Sequence, residues 1–477
     1  MQKIIELTSK DFLSGLAISS HMPTGVFHEA SGINPFRDPF TSSDNVGLLQ
    51  TSQAAQNIAG GVVVDAVRGS VYLGSSFRGY FWGNAGHLYE VDTDSFPTPT
   101  DLRTVSNPAD GLAIYQPPTG SKKLLYWQTT QFGTWDFAAS YNDGAYTGLQ
   151  STIIHPTHPF VGNVYYGNKD RIGEVSNDGV GNIVHTLNVL DFPSDLLVTT
   201  INDDGYYLIV GATTNTISGN LKIHTLNKIF FWDTVSSSWN KEYEIPTAYI
   251  ASIQKLGNLM YALCADGLYA FSFSIPPTLV VPFSNNDAPS TVGGVAPTHQ
   301  VACVKDGVLY WTSVGTDICA YGSPIPGLSP RFFKPFKAFS GGVPTHLSVA
   351  GKFKLVTADE NEFGYVDFQN GGNTSLVAET IYIPLERKWN IMKMEIILGE
   401  PMASGDSLNI DVKSDEDTSA TDWGTMSFAA DGAVRTKLMV SSGATNYIAE
   451  NLKLIFNFNG GNVKIKKVMV YGDPMTI

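Results

Sequence analysis

Charged residues are scarce in this sequence, and so are the features that usually mark a function class. Of its 477 residues only 16% are charged, and the formal net charge is −14. A negative chain disfavours non-specific binding to nucleic acid or to an anionic membrane. The three cysteines, Cys264, Cys303 and Cys319, are widely spaced and form neither a disulfide framework nor a zinc pattern. We expect them to be buried thiols.

Long hydrophobic runs are absent as well. No stretch of about 18 apolar residues occurs that could span a bilayer. The first residues, MQKIIELTSKDFLSG, carry Glu6 and Asp11 and lack the apolar segment of a secretory signal. We therefore expect a chain that is made in a cytoplasm and has no membrane-inserted segment.

Catalytic and phosphate-binding motifs are missing too. The sequence has no G-x-S-x-G, no H-E-x-x-H and no G-x-x-x-x-G-K-[ST]. Asp136, Asp233 and Asp367 could supply the carboxylate pair of a glycosidase. Each of them, however, follows the same strand of a repeated unit, which favours a role in turns. We expect no enzyme activity, no catalytic residue and no cofactor.

Two weaker clusters could bind a metal ion. His155 and His158 are three residues apart in IIHPTHPF, but the prolines favour an extended path and no acidic residue is near. The segment 411–422, DVKSDEDTSATD, is rich in carboxylates, which suit calcium, but it lacks the EF-hand spacing. A solvated acidic loop is the simpler interpretation. We predict no metal site, and leave calcium at 411–422 open.

Glycine, proline and aromatic residues are abundant, which is typical of a protein of strands and turns. The chain has 46 Gly, 25 Pro, 21 Tyr and 26 Phe. DGLYAFS at 266–272 resembles GHLYEVD at 86–92, and both belong to a recurring aromatic hairpin. The seven copies of this hairpin lie at 79–92, 124–137, 164–176, 221–234, 259–272, 308–322 and 353–368.

The spacing of the copies predicts a β-propeller. From Tyr89 to Tyr365 the six intervals average 46 residues, near the period of four-stranded propeller blades. The copy at 221–234 is expected to carry an insertion at 211–220. A single blade cannot bury both faces, whereas closure into a ring buries them between neighbours. We predict an all-β chain with about seven blades, in which Tyr89 and Tyr269 are packing residues.

The ends of the chain differ from the repeats. After residue 373 the aromatic hairpins stop, and seven or eight short strands suggest a β-sandwich. In NLKLIFNF the alternation places Leu452, Leu454, Phe456 and Phe458 on one face. The predicted domains are an irregular N-terminal arm at 1–58, the propeller at 59–373 and the sandwich at 374–477.

The N-terminal arm contains INPFRDPF at 33–40, in which prolines stiffen the path between two aromatic residues. Phe36, Arg37 and Phe40 are the candidate assembly contacts, since anchors on a stiffened segment lose little entropy on docking. The segment could pack as a strap across its own propeller or contact a neighbouring subunit. The sequence leaves both alternatives open.

Taken together, the SGINPFRDPF…GLLQT leader, the aromatic repeats and the C-terminal RKWNIMKMEIILGEP…GAVRTKL segment resemble virion structural proteins of tailed bacteriophages, particularly tail-associated propeller proteins. The resemblance implies a structural role in the virion through contacts with other virion proteins and with copies of itself, without nucleic acid or a cofactor. A carbohydrate-binding receptor-recognition protein is the first alternative. A propeller-type glycoside hydrolase or lyase is the second.

Overall fold

The computed structural model describes most of the chain. The described residues are 2–12, 27–30, 49–50, 56–57, 67–73, 78–83, 86–92, 99–138, 140–152, 154–214, 226–284, 286–289, 300–315, 317–323, 329–337, 346–350, 354–358, 363–367, 376–380, 382–440, 447–460 and 463–475. Contacts divide the chain into two compact units. One comprises Met1–Ala55, Asp317–Lys337 and Val366–Ile477, and the other comprises Gln56–Thr316 and Ala338–Tyr365.

Seven four-stranded antiparallel sheets make up the repeated part of the chain, and we call them blades 1 to 7. Blade 1 consists of β5 (Val67–Leu73), β6 (Arg78–Gly83), β7 (His87–Asp92) and β8 (Thr100–Thr104). Blade 2 consists of β9 (Pro108–Tyr115), β10 (Lys123–Gln128), β11 (Gln131–Trp135) and β12 (Tyr141–Thr147). Blade 3 consists of β13 (Thr157–Phe160), β14 (Asn163–Gly167), β15 (Arg171–Asn177) and β16 (Ile183–Asp191).

Blades 4 to 6 follow the same order. Blade 4 consists of β17 (Leu196–Asp203), β18 (Leu208–Thr214), β19 (Leu226–Trp232) and β20 (Lys241–Pro246). Blade 5 consists of β21 (Ile250–Leu256), β22 (Leu259–Cys264), β23 (Gly267–Phe271) and β24 (Thr278–Pro282). Blade 6 consists of β25 (Ala302–Lys305), β26 (Val308–Thr312), β27 (Asp317–Gly322) and β28 (Arg331–Lys337). Blade 7 has β29 (His346–Ala350), β30 (Lys354–Ala358) and β31 (Phe363–Asp367), and takes its fourth strand, β4 (Gln56–Asn57), from the N-terminal side.

The first strands of the blades close a ring. Each of β5, β9, β13, β17, β21, β25 and β29 packs against the next, and β29 packs against β5. All seven lie in the unit formed by Gln56–Thr316 and Ala338–Tyr365. The predicted all-β propeller of about seven blades is therefore confirmed.

Hydrophobic cores lie between neighbouring blades, as the closure argument requires. One core joins Tyr165 and Ile172 of blade 3 to Val210 and Phe230 of blade 4. A second core joins Phe231 of blade 4 to residues of blade 5. Tyr89 and Tyr269 are buried, which agrees with their predicted packing role.

In two of the aromatic hairpins a tyrosine ring covers a glycine of the paired strand. Tyr126 pairs with Gly133, and Tyr166 pairs with Gly173, in blades 2 and 3. A Cβ atom at Gly133 would lie 2.3 Å from the Tyr126 ring, and one at Gly173 would lie 2.0 Å from the Tyr166 ring. Only glycine leaves room for the ring at these positions.

The remaining strands form one ten-stranded sheet, which is the sandwich-like part of the chain. The strands of this sheet are β1 (Gln2–Leu7), β2 (Phe27–Ala30), β3 (Leu49–Gln50), β32 (Leu376–Thr380), β33 (Ile383–Leu398), β34 (Ser407–Ser414), β35 (Thr421–Ser427), β36 (Thr436–Val440), β37 (Tyr447–Asn459) and β38 (Lys464–Pro474). Two short helices are α1 (Ser9–Phe12) and α2 (Phe428–Asp431). The hydrophobic core of the ten-stranded sheet includes Leu452, Leu454, Phe456 and Phe458, as the alternation predicts.

Strands from the first 58 residues belong to this sheet. β1 and β3 pair with β38, and β2 pairs with β32. These described parts of the arm are therefore regular, hydrogen-bonded strands, whereas the sequence analysis predicted an irregular arm. The boundaries predicted at residues 58 and 373 remain a prediction.

Two details of the repeat pattern differ from expectation. Residues 211–214 belong to strand β18, so the predicted insertion at 211–220 begins later than expected, and 215–220 lie outside the described residues. Strand β19 pairs with β18, which lies before the insertion, and so the hairpin is not contained within 221–234. The outer strands β8, β12, β16, β20, β24 and β28 have no counterpart in the predicted pattern.

Candidate functional site

A cavity of about 340 Å³ lies among the first strands of six blades. Its lining combines polar and apolar side chains. The residues that line it are Ser70, Tyr72, Thr157, His158, Thr200, Ile201, Asn202, Gln254, Gln300, Ala302, Cys303, Val304, Leu347, Ser348 and Val349. We call this space the central cavity.

Polar side chains of the lining also hold the ring together. Gln300 Oε1 accepts a hydrogen bond from Ser70 N at 2.5 Å, and Gln300 Nε2 donates to Ser70 O at 3.0 Å. The Tyr72 and Ser348 hydroxyls are 2.8 Å apart. These contacts join residues that are more than 200 positions apart in the sequence.

The opposite part of the lining is built from blades 4 and 5. Asn202 Nδ2 donates to Ile253 O at 2.7 Å, and Thr200 Oγ1 accepts from Ile253 N at 3.1 Å. Gln254 Nε2 donates to Ser252 Oγ at 2.9 Å and to Ala302 O at 3.3 Å. Each of these side chains is therefore fixed by a backbone or side-chain partner.

Among the described residues of the lining there is no lysine, arginine, aspartate or glutamate. Burial raises the pKa of the Tyr72 hydroxyl and of the Cys303 thiol, so both stay protonated at neutral pH. His158 Nε2 lies 2.7 Å from Asp203 Oδ2, and this contact holds the pKa of Asp203 below its usual value. The cavity can therefore donate and accept hydrogen bonds but offers no pair of carboxylates.

The two histidines of IIHPTHPF do not share a site. His155 is buried, and its Nδ1 donates to Gly167 O at 2.7 Å. Burial lowers the pKa of His155. His158 instead contacts Asp203, as described above. The pair belongs to two separate hydrogen-bond networks.

The aspartates that end the third strand of their blades serve as turn caps where their side chains are described. Asp136 Oδ1 accepts from Ala138 N at 3.1 Å. Asp233 accepts from the backbone of Val235 and Ser236, which lowers the pKa of Asp233. The prediction that they act in turns is confirmed for these two, while the side chain of Asp367 lies outside the description.

The acidic segment 411–422 spreads its carboxylates over separate partners. Asp411 accepts from Asn409 and Asn457, and Asp415 accepts from Asn451. Asp417 accepts from the Tyr447 hydroxyl. Across the part of the chain that the structure describes, no three His, Cys, Asp or Glu side chains gather as a metal site would require.

The predicted assembly contacts Phe36, Arg37 and Phe40 lie outside the described residues. Cys264 and Cys319 are buried and Cys303 is half-buried. Within the described ranges, no helix has the length and apolar character needed to cross a membrane.

A second candidate surface lies on the turns of blades 3 to 5. Five large apolar side chains are strongly exposed there, namely Val161 (75%), Val180 (78%), Tyr206 (83%), Val235 (89%) and Ile275 (48%). They lie in turns that follow the first or the third strand of a blade. Because the strands are antiparallel and every blade starts at the ring, these turns share one face of the ring. We call this set the turn face.

We call these five exposed residues the tips. In four of them the backbone N–H is held by a hydrogen bond within its own turn. In blades 3 and 4 an aspartate two positions earlier accepts a hydrogen bond from the backbone N–H of the exposed residue, as in an Asx turn. The three pairs are Val180 N to Asp178 Oδ1 at 2.9 Å, Tyr206 N to Asp204 Oδ1 at 2.8 Å and Val235 N to Asp233 Oδ1 at 3.0 Å. In blade 5, Ile275 N donates to Ser272 Oγ at 3.1 Å.

Val161 is unusual in its backbone. It has φ of 47°, and the next residue, Gly162, has φ of 81°. Two positive φ values in a two-residue hairpin favour Asn, Asp or Gly, and are strained for a β-branched side chain. The side chain is exposed, so burial does not offset this strain.

The sequence analysis missed both surfaces. The turn face had a signal in the recurring Asp-x-apolar triplets at 178–180, 204–206 and 233–235. The central cavity had none, because its lining comes from six strands that are distant in the sequence.

Comparisons with known proteins give no family. No protein-family model matches the chain, and no curated protein matches it. A catalytically inactive virginiamycin B lyase from Staphylococcus aureus is 13% identical, with a TM-score of 0.47 over 66% of this chain and 98% of that chain. The β-propeller domain of Cps50 (Swd1) from Myceliophteria thermophila is 10% identical, with a TM-score of 0.43 over 66% and 99%.

A computationally designed protein, Ika8, is 11% identical, with a TM-score of 0.37 over 66% of this chain and 98% of that chain. These solved structures are a lyase, a Swd1 domain and a designed protein. At such identities and TM-scores they carry no argument about activity.

Proposed function

We propose that this protein is a structural component of a tailed-bacteriophage virion that docks other virion proteins through the turn face. The observation that carries the proposal is the set of five exposed apolar side chains on one face of a closed ring. Scattered apolar residues are ordinary on a protein surface, but grouping on one face favours an interaction site.

The rigidity of the tips supports docking. Each carboxylate of Asp178, Asp204 and Asp233 is occupied by the backbone of its own turn. A turn backbone that is already held in place loses little conformational entropy on binding. The strained backbone of Val161 points the same way, because strain in native proteins concentrates at functional positions.

The charge of the turns favours a protein partner over an anionic membrane. Three aspartates lie beneath the exposed tips, and the chain has a net charge of −14. The lysines nearby are engaged by the backbone, since Lys255 Nζ donates to Asp204 O and Lys241 Nζ donates to Phe273 O, both at 2.6 Å. Apolar side chains on turns that carry carboxylates suit a protein surface better than an anionic membrane.

The proposal moves the contact surface away from the N-terminal arm. The described strands of that arm pair within their own chain, which counts against an arm that only contacts neighbours. The assignment to a phage tail rests on the resemblance of the leader, the repeats and the C-terminal segment to virion proteins, and needs a direct test.

The test is complementation of a phage that lacks the gene, followed by quantitative mass spectrometry of the purified particles. The double variant Tyr206→Asp/Val235→Asp should enter particles at least about tenfold less than the unchanged protein, because desolvating two added charges opposes docking. The control Val184→Asp/Leu279→Asp changes exposed residues of the outer strands and should enter normally.

Two results would contradict the proposal in different ways. If the protein is absent from purified particles, the virion role is wrong. If the double variant enters as well as the control, the protein is a virion component but the turn face is not its contact surface.

A further inference from the structure

We infer that the central cavity is a binding site for an uncharged polyhydroxylated ligand of about the size of one sugar ring. This inference does not depend on the proposed virion role. The cavity of about 340 Å³ falls within the range of known small-molecule sites, roughly 300–1,000 Å³. It lies in the ring of first strands.

The lining selects against a charged ligand. No Lys, Arg, Asp or Glu side chain lines the cavity within the part of the chain that the structure describes, and its Tyr72 and Cys303 groups are protonated. The carboxylate of Asp203, which follows the lining residue Asn202, is already paired with His158. A ligand charge taken out of water would find no counter-charge, and that is costly.

Blades 4 and 5 bring complementary hydrogen-bonding atoms together. Thr200 Oγ1 accepts from Ile253 N, so its hydroxyl hydrogen is left to donate. Asn202 Nδ2 uses one hydrogen on Ile253 O and keeps a second. Both bonds made by Gln254 use Nε2, so within the described residues its Oε1 is left as an acceptor.

Such a set matches a pair of neighbouring hydroxyl groups. Each ligand hydroxyl both donates and accepts, and the cavity offers donors from β17 and an acceptor from β21. The side chains are fixed by the bonds described above, so little order is lost when a ligand binds. A lone ion or an apolar molecule would leave these groups unsatisfied.

The apolar residues complete the match. Ile201, Val304, Leu347 and Val349 can contact the C–H surface of a sugar ring. Among the described lining residues, Tyr72 is the one aromatic residue apart from the imidazole of His158, and its hydroxyl is already bonded to Ser348. These residues provide no paired stacking platforms for a long flat chain, which favours a single ring.

The test is isothermal calorimetry and saturation-transfer NMR on the full chain with glucose, galactose and N-acetylglucosamine. At least one of them should bind with a Kd of about 1 mM or tighter. Glucosamine and glucuronic acid, the charged counterparts, should bind at least about tenfold more weakly. Methyl glycosides separate the two sources of such a ring. If a methyl glycoside binds as well as the free sugar, the ligand is the end of a glycan chain. If the methyl group abolishes binding, the ligand is a free sugar.

Variants locate the binding. Gln254→Met should weaken it about tenfold by removing the acceptor, and Ala302→Leu should abolish it by filling the cavity without removing a polar group. Gln131→Met, a glutamine of blade 2 outside the lining, should bind as the unchanged protein does. Tyr206→Asp/Val235→Asp should also keep the sugar, so failure of the virion proposal is distinguishable.

Three results would overturn the inference. They are the absence of binding by all three neutral sugars at about 10 mM, equal binding of the charged sugars, and binding that survives both Gln254→Met and Ala302→Leu.

Discussion

Val161 is a residue whose identity neither local conformation nor burial explains. Its φ of 47° suits Asn or Gly, and its side chain is 75% exposed. Phe137 also has a positive φ, of 61°, but its ring packs 5.3 Å from that of Tyr80 and 5.0 Å from that of Trp135. Packing offsets the strain at Phe137, whereas at Val161 the compensation would have to come from a partner.

The substitution Val161→Asn should therefore raise the free energy of unfolding by about 1 kcal/mol while it weakens docking by the turn face. Phe137→Asn, which also relaxes the backbone, should lower the free energy of unfolding by about 1–2 kcal/mol, because the aromatic contacts are lost. Urea denaturation of the two variants measures both effects. A destabilised Val161→Asn protein would show that the valine contributes to the fold itself.

At the scale of strands and turns, predictability followed burial. The second and third strands of the blades are buried on both faces, and residues such as Tyr126 and Trp127 make them recognisable. Outer strands such as β12 and β16 are half-exposed, so tertiary pairing rather than an apolar pattern defines them. The turn at Asp233 could be predicted because it follows a buried strand. The exposure of Val235, two residues later, could not be predicted, because it depends on the folded surface.

Strand β16 of blade 3 and the segment that precedes β13 predict an effect of acid. Burial lowers the pKa of His185 to about 4 and also lowers the pKa of His155. Between pH 6.5 and 4 the unfolded chain therefore binds protons that the folded chain does not, so stability falls as the pH falls.

Chemical denaturation at pH 7.5 and pH 5 should show this loss, with about 1 kcal/mol from His185 after allowance for its partial exposure. His185→Gln should reduce the pH dependence without adding a charge. Equal pH dependence in the variant and the unchanged protein would show that His185 is protonated in both states alike.

For the whole molecule, the critical step is joining the first blade to the last ones. Tyr72 contacts Ser348, and β4 completes blade 7 from the N-terminal side. Such contacts link residues hundreds of positions apart, so their loop-closure entropy is large and the sequence gives no local sign of them. This is why the repeats could be predicted, while the central cavity could not.

Gln300 is the closing contact that can be tested most directly. Its side-chain amide binds both the backbone N–H and the backbone C=O of Ser70, a residue only 5% exposed. The backbone carbonyl of Gln300 accepts a hydrogen bond from Leu347 N at 2.8 Å. Gln300→Leu keeps the side-chain volume but leaves both buried backbone groups of Ser70 without that amide. Leaving such groups unsatisfied costs about 2 kcal/mol.

Stopped-flow unfolding in urea should therefore find Gln300→Leu less stable and faster to unfold than the unchanged protein. The control is Gln116→Leu, since Gln116 is exposed and its amide bonds only to nearby carbonyls, those of Pro117 and Gly120. If both variants unfold alike, the ring is closed by the packing of β29 against β5 rather than by this amide. A selective effect of Gln300→Leu would instead identify a single side chain as the clasp between blades that the sequence places 230 residues apart.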